Sequence, residues 1–434
     1  MKKILLFGAG KSATDLIDYL GKYADKNQHS LIVCDQSLDL AQSKIQHLSH
    51  ASAVSIDVTD ASERSALISG ADIVISMMPP ALHFLIAKDC VAYSKNLLTA
   101  SYLSEEIKSL EKEINAKGLL FLGEMGLDPG IDHMSAMHLI KSLKEQGAEI
   151  KSFYSHCGGL VAPESDDNPW HYKVTWNPAN VVLAGNAGAS YLRDGKIIEV
   201  PYKKIFARED QLIQTEEGPL AWYANRDSLS YIDLYDLQGI QTFIRTTLRY
   251  PSYNRAWNLV IHLGLTATDD RETISACDTY ADWFNLKLSE VSSESILTTL
   301  QAPEIRQQFE YLGFNSDQSL PIKESSAKVL QTLLEKNLAI KPHDKDMIVM
   351  VHEVEYVIKN KFQKTTSTLI VKGENNLHTA MSKTVGYPLA IAATLVLENK
   401  IPLTGLHIPV LPEIYIPLLD ELKNNGIAFH EVTA

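Results

Sequence analysis

The run Lys3-Ile4-Leu5-Leu6-Phe7-Gly8-Ala9-Gly10-Lys11-Ser12-Ala13 is a strand, a tight glycine turn and the start of a helix. Apolar residues at Ala13, Leu16, Ile17 and Leu20 continue it at helical spacing. In this arrangement Gly8 reverses the chain and Gly10 lets the backbone approach a pyrophosphate. Ala13 stands in for a third glycine where helix and strand pack closely. The free amides and the positive end of the helix dipole would then face the phosphates. A second strand, Ser30–Cys34, ends in Asp35, placed for the adenosine ribose hydroxyls, which favours NAD over NADP. Gly10-Lys11-Ser12 resembles a P-loop, but that motif needs glycine where Leu5 stands.

Strands and helices keep alternating through about residue 125, with strands at Ala53–Asp57, Asp72–Met77, Asn96–Ala100 and Leu119–Gly123. This pattern predicts an α/β fold with a doubly wound parallel Rossmann sheet over residues 1–125. Ligands bind beyond the carboxyl ends of such strands. Asp57-Val58, Ser76-Met77 and Ser101-Tyr102 are therefore candidate contacts. From Gly126 the texture changes. Strand-like runs at Glu149–His156, Asn180–Val182, Gln241–Leu248 and Trp257–Ile261 predict a mixed α/β substrate domain over 126–384, with a helical subdomain at about 269–338. The apolar face Leu389, Ala392, Ala393, Val396 and Leu397 comes too late in sequence for that insertion. Residues from about 385 to 434 are expected to return to the first domain.

The chain has 434 residues, 45% hydrophobic composition and a formal charge of −13, which suits substantial cores and disfavours nucleic acid. Met1-Lys2-Lys3 and the apolar run after it lack a cleavage site and read as a first strand. Leu389–Leu397 is about half of the roughly 20 residues a membrane helix needs. No membrane association is expected. Cys34, Cys90, Cys157 and Cys277 show no paired spacing, so a cytoplasmic, reducing compartment is expected. Asp132, His133 and His138 invite a metal, but the histidines lie five apart and share no helical face, so none is assigned.

Arg226, Arg245 and Arg249 are forked donors suited to an anionic substrate or to surface ion pairs. Asp128, between Leu127 and Pro129-Gly130, reads equally as a substrate-facing carboxylate or a helix cap. Cys157 before Gly158-Gly159 offers a thiol or a close backbone approach to a nicotinamide.

Together these blocks resemble the saccharopine dehydrogenases of the L-glutamate-forming type. The resemblance runs through Gly8-Ala-Gly10, Gly126–His133, Cys157–Leu160, Ala162–Glu164, Asp167–Pro169, Asn225–Ser228, Arg245–Tyr250 and Gly386–Pro388. It implies oxidative cleavage of saccharopine with NAD(P) and water to L-glutamate and 2-aminoadipate 6-semialdehyde, or the reverse, in lysine metabolism. The implied substrate contacts are Ser101, Tyr102, Asp128, Arg226, Arg245, Thr246 and Thr247. The implied cofactor contacts are the Gly10–Ala13 loop, Asp35, Asp57, Val58, Ser76, Met77, Cys157, Gly158 and Trp176. Asp128 is the expected general base, with Cys157 or Tyr102 as assistants. Ala224, Thr246 and Ser252-Tyr253 depart from the family's usual residues. A related carboxyalkyl-amine dehydrogenase, acting for instance on carboxynorspermidine, and a non-catalytic dinucleotide sensor are the alternatives. Expected partners are small molecules, with room for a homodimer.

Overall fold

A computed structural model describes all 434 residues. Its first sheet contains β1 (Lys3–Phe7), β2 (Ser30–Asp35), β3 (Ala51–Ser55), β4 (Ile73–Ser76), β5 (Asn96–Thr99) and β6 (Leu120–Leu122). The second is built from β7 (Glu149–Val161), β8 (Ala189–Arg193), β9 (Lys196–Val200), β10 (Leu212–Thr215), β11 (Gly218–Ala224), β12 (Arg226–Asp227), β13 (Thr242–Arg249), β14 (Asp346–Ile358) and β15 (Lys361–Lys372). β16 (Gly405–His407) returns to the first sheet, and β17 (His430–Thr433) completes the second.

The first sheet runs β16-β6-β5-β4-β1-β2-β3, with every pair parallel. β1 is buried from Ile4 to Phe7, as a parallel strand covered on both faces must be. The strand order reverses at β1 and β4, which opens a crevice at their carboxyl ends.

Two units result, Met1–Glu149 with Leu377–Glu431, and Ile150–Asn376 with Val432–Ala434. The boundary differs from the expected one at 125/126. Helix Ile131–Glu145 lies in the first unit, where it packs on helix Pro412–Asn424. The returning segment starts at Leu377. Its helix Ala380–Leu397 is long and apolar enough by composition to cross a membrane, yet 67% of it is buried inside the protein. It lies so close to helix Thr14–Asn27 that a Cβ on Gly386 would come 2.7 Å from the Leu16 nitrogen.

In the second unit a long hairpin, β14–β15, turns at Lys359-Asn360, both with positive φ (50° and 61°), as a type I′ turn requires. Two expected strands are helical. Asn180–Val182 lies in helix Pro178–Val182, where Asn177 caps the amide of Ala179 and proline sits in the first turn. Trp257–Ile261 lies in helix Pro251–His262, which buries Tyr253, Ala256, Trp257 and Val260 at helical spacing. The run of helices therefore starts at Pro251 rather than near residue 269. Trp170, Trp257 and Trp283, each with no exposed surface, anchor this unit's aromatic core.

Candidate active site

In the first unit the glycine loop leaves β1 at the topological switch. Gly8 has φ +101°, and its amide donates to the Cys34 carbonyl at 2.7 Å. A Cβ there would meet the Met77 carbonyl at 2.9 Å, so Met77 serves the turn through its backbone. Gly10 differs, because nothing lies within 4 Å of where its Cβ would be. Packing does not explain that glycine, whereas the approach of a pyrophosphate does. Lys11 is exposed, Ser12 half-buried and Ala13 buried in the 3-10 turn that leads into helix Thr14–Asn27. A dinucleotide phosphate fits this cradle.

Asp35 closes the loop from the other side. Its Oδ2 accepts the Ala9 amide at 2.8 Å and its Oδ1 the Ser37 amide at 3.0 Å. The carboxylate is thus aimed and held, and each oxygen keeps a lone pair for a ribose hydroxyl. Sequence reading missed Lys44, whose Nζ donates to the Gly10 carbonyl at 2.6 Å and to Thr14 Oγ1 at 2.9 Å. Burial lowers its pKa to about 8, against the opposing pull of Asp35, Asp15 and Asp18. Asp57 is exposed, and hydrogen bonds from the Thr59 hydroxyl and amide hold its carboxyl below the usual range. Val58 is buried in the core, and its carbonyl accepts from Arg64.

Further along the carboxyl edge, Ser76 ends β4 and Ser101 follows β5. His83 stands between them, 2.7 Å from Ser76 Oγ and 2.8 Å from Ser101 Oγ. Nothing in the sequence around Pro79-Pro80 signalled this histidine. Tyr102 and Asp128 are half-buried on the neighbouring loops. Asp128 is not the N-cap residue of the helix Ile131–Glu145. Gly130 is the N-cap residue, and Asp132 Oδ1 accepts its amide at 2.6 Å. Asp128 instead heads a cis peptide bond to Pro129. His133 is fully buried, with Nε2 2.9 Å from Glu124 Oε2, while His138 packs edge-on to Tyr415.

In the second unit, β13 pairs with β7 and β11 in a register that sorts side chains by face. Arg245 aligns with Ser155, Thr247 with Cys157 and Tyr223, and Arg249 lies two residues on, so these share a face. Thr246 and His156 share the opposite face, joined at 2.7 Å. The alternation separates the Thr246 side chain from Arg245 and Thr247, although all three were expected to contact substrate. Glu353 on β14 meets His156 Nε2 at 3.3 Å and also pairs with Lys364. Burial would raise Glu353, but the bonds from His156 and Lys364 outweigh it and bring its pKa to about 2.

Both arginines on β13 are buried. The Arg245 guanidinium lies 4.4 Å from the Tyr231 ring centre. That of Arg249 lies among the rings of Tyr172, Tyr223 and Tyr253 at 5.2 to 6.0 Å, and its buried Nε lacks a hydrogen-bond partner. Aromatic faces stabilise such cations without neutralising them. Arg226 is exposed, with φ 51°. Trp176 donates to the Tyr172 hydroxyl at 3.0 Å. The space that a Cβ would take at Gly158 is filled by Leu248, 2.6 Å away, so this glycine lets β7 and β13 approach each other. All four cysteines are buried thiols.

Residues 4–122 match the family model for the saccharopine dehydrogenase NADP binding domain, and residues 126–427 that for the saccharopine dehydrogenase C-terminal domain. The chain belongs to the saccharopine dehydrogenase family. Over 447 residues it is 33% identical to the Saccharomyces cerevisiae protein named saccharopine dehydrogenase (NADP(+), L-glutamate-forming), covering 100% of this chain and 99% of that one. The solved structure of apo histidine-tagged saccharopine dehydrogenase (L-Glu forming) from Saccharomyces cerevisiae superposes with a TM-score of 0.88 at 32% identity, covering 100% of both chains. Mus musculus alpha-aminoadipic semialdehyde synthase, mitochondrial, is 34% identical over 449 residues, covering 99% of this chain and 47% of that protein. The chain thus spans about half the length of the synthases it matches. As a family member it carries a Rossmann-like dinucleotide domain and a mixed-sheet domain.

Proposed function

We propose that this family member is an NAD-linked saccharopine dehydrogenase of the L-glutamate-forming type, acting in lysine metabolism. The reading is carried by the row Arg245, Thr247 and Arg249 on one face of β13, in a chain that aligns end to end with the yeast enzyme of that name. Saccharopine holds three carboxylates, and guanidinium forks are their best partners. Arg226, Arg245 and Arg249 are the groups we assign to them, with Ser101 and Tyr102 as further hydrogen-bonding contacts.

The bound nicotinamide supplies a hydride acceptor. The protein's own work is to orient the secondary amine and move its protons. Asp128 is the carboxylate we assign to take the amine proton, directly or through water, before hydride leaves the adjacent carbon. Hydration of the resulting imine and collapse of the carbinolamine each need a proton moved, and the same carboxylate can shuttle it. Cys157 and Tyr102 are the lesser candidates. For the carrier, the fixed Asp35 carboxylate favours free ribose hydroxyls and repels a 2′-phosphate, so NAD is our assignment within a family whose model is named for NADP.

The test is reduction of NAD+ and of NADP+ by the purified protein with saccharopine and, separately, with carboxynorspermidine. We expect turnover with saccharopine and a higher kcat/KM for NAD+. No turnover of saccharopine at millimolar concentration with either carrier removes the proposal.

A further inference from the structure

A buried hydroxyl fixes the polarity of a half-buried one at the carboxyl edge of the parallel sheet. Ser76 has no exposed surface, and its Oγ meets one side-chain partner, Nδ1 of His83 at 2.7 Å. His83 is itself buried, and its Nε2 lies 2.8 Å from Oγ of the half-buried Ser101. A buried hydroxyl left without an acceptor is costly, so the Ser76 proton goes to Nδ1. A neutral imidazole carries only one ring proton, which therefore sits on Nε2 and is donated to Ser101 Oγ. The Ser101 hydroxyl has then received its hydrogen bond, and its own proton is left to be given outward. Burial keeps the ring neutral, since it lowers the His83 pKa to about 4.

We propose that His83 is a positioning residue which, through its Nε2–H tautomer, makes Ser101 a hydrogen-bond donor committed to a carboxylate of the substrate. The chain Ser76, His83 and Ser101 thus selects an anion at this corner of the site and disfavours a ligand group that needs an acceptor there. The selection rests on the proposed function, because Ser101 is assigned to saccharopine only by that reading. The relay itself does not.

Two measurements test it separately. Long-range 1H–15N correlation on the intact protein, with the His83 signals assigned by their loss in His83→Gln, should show a protonated Nε2 and an unprotonated Nδ1. In kinetics, His83→Phe should raise the KM for saccharopine about tenfold, the scale of a lost hydrogen bond to a charged group, with kcat and the KM for NAD+ within about twofold. His83→Gln, whose amide nitrogen occupies the Nε2 end, should recover most of that loss, and His83→Asn, which reaches only the Nδ1 end, should not. A purely structural role would make Gln no better than Asn. An Nδ1–H tautomer, or a folded His83→Phe protein with unchanged saccharopine KM, overturns the proposal. If the wild-type protein fails to oxidise saccharopine, the proposed function falls while the tautomer measurement still decides the relay.

Discussion

Asp35 holds the loop with the same carboxylate that we propose for the ribose. Its two oxygens accept the Ala9 and Ser37 amides, so its position is set before any ribose arrives. Replacing it by serine should remove the charge that opposes a 2′-phosphate and narrow the NAD+ to NADP+ ratio of kcat/KM about tenfold or more, the scale of a charge-assisted hydrogen bond. Steady-state kinetics with both carriers measures this, and an unchanged ratio would show that Asp35 does not set the preference. Lys44 acts from beneath the loop, tying Gly10 and Thr14. Lys44→Met should weaken NADH binding about tenfold, with the saccharopine KM held. Fluorescence titration checks the first and initial rates the second. Asp35 was legible in the sequence because the end of a second strand is a local landmark. Lys44 was not, because its partner lies 34 positions away and helix periodicity says nothing about what a lysine tip reaches.

At the scale of elements, the pairing of β13 with β7 and β11 determines which named residues can act together. Arg245 and Arg249 are four residues apart, which places both on one face of a strand, but bringing Thr246 to His156 on the other face depends on the register. The same contact explains Gly158, whose Cβ would press on Leu248 at 2.6 Å. Gly158→Ala should destabilise the protein by about 1–3 kcal/mol through overpacking, read as a fall in the denaturant midpoint.

Glu353 bridges β14 and β15 to β7 through Lys364 and His156. Its folded pKa, about 2, lies below the ordinary 4.5. The unfolded chain therefore binds the proton first as pH falls. The stabilisation is full above about pH 4.5 and is lost towards pH 2. Glu353→Gln should cost on the order of 2 kcal/mol at pH 7 and flatten the pH dependence of unfolding across that window. An acid limb unchanged from wild type would rule the bridge out as its source.

The whole molecule depends on the return of its C-terminal segment. Helix Ala380–Leu397 buries Leu389 and Ile391 completely in the first unit, and β16 extends the parallel sheet at β6. Each such side chain contributes about 1.5–3 kcal/mol, so the segment as a whole rivals the 5–15 kcal/mol by which domains are typically stable. A chain ending at residue 376 should lack a cooperative transition for its first unit, and differential scanning calorimetry beside the full chain checks this. Survival of that transition would show the nucleotide domain to be self-sufficient.

The sequence by itself determined the alternating strands and helices, the glycine loop and Asp35, because hydrophobic period and turn chemistry act over a few residues. It also carried the blocks from Gly126 to Gly386 that mark the family. Only the tertiary structure decided that helix Ile131–Glu145 belongs with the first unit, that Pro251–His262 is helical, and that His83 joins Ser76 to Ser101. Those outcomes depend on which distant surfaces meet, and burial against a partner overrides the local preference of a short segment.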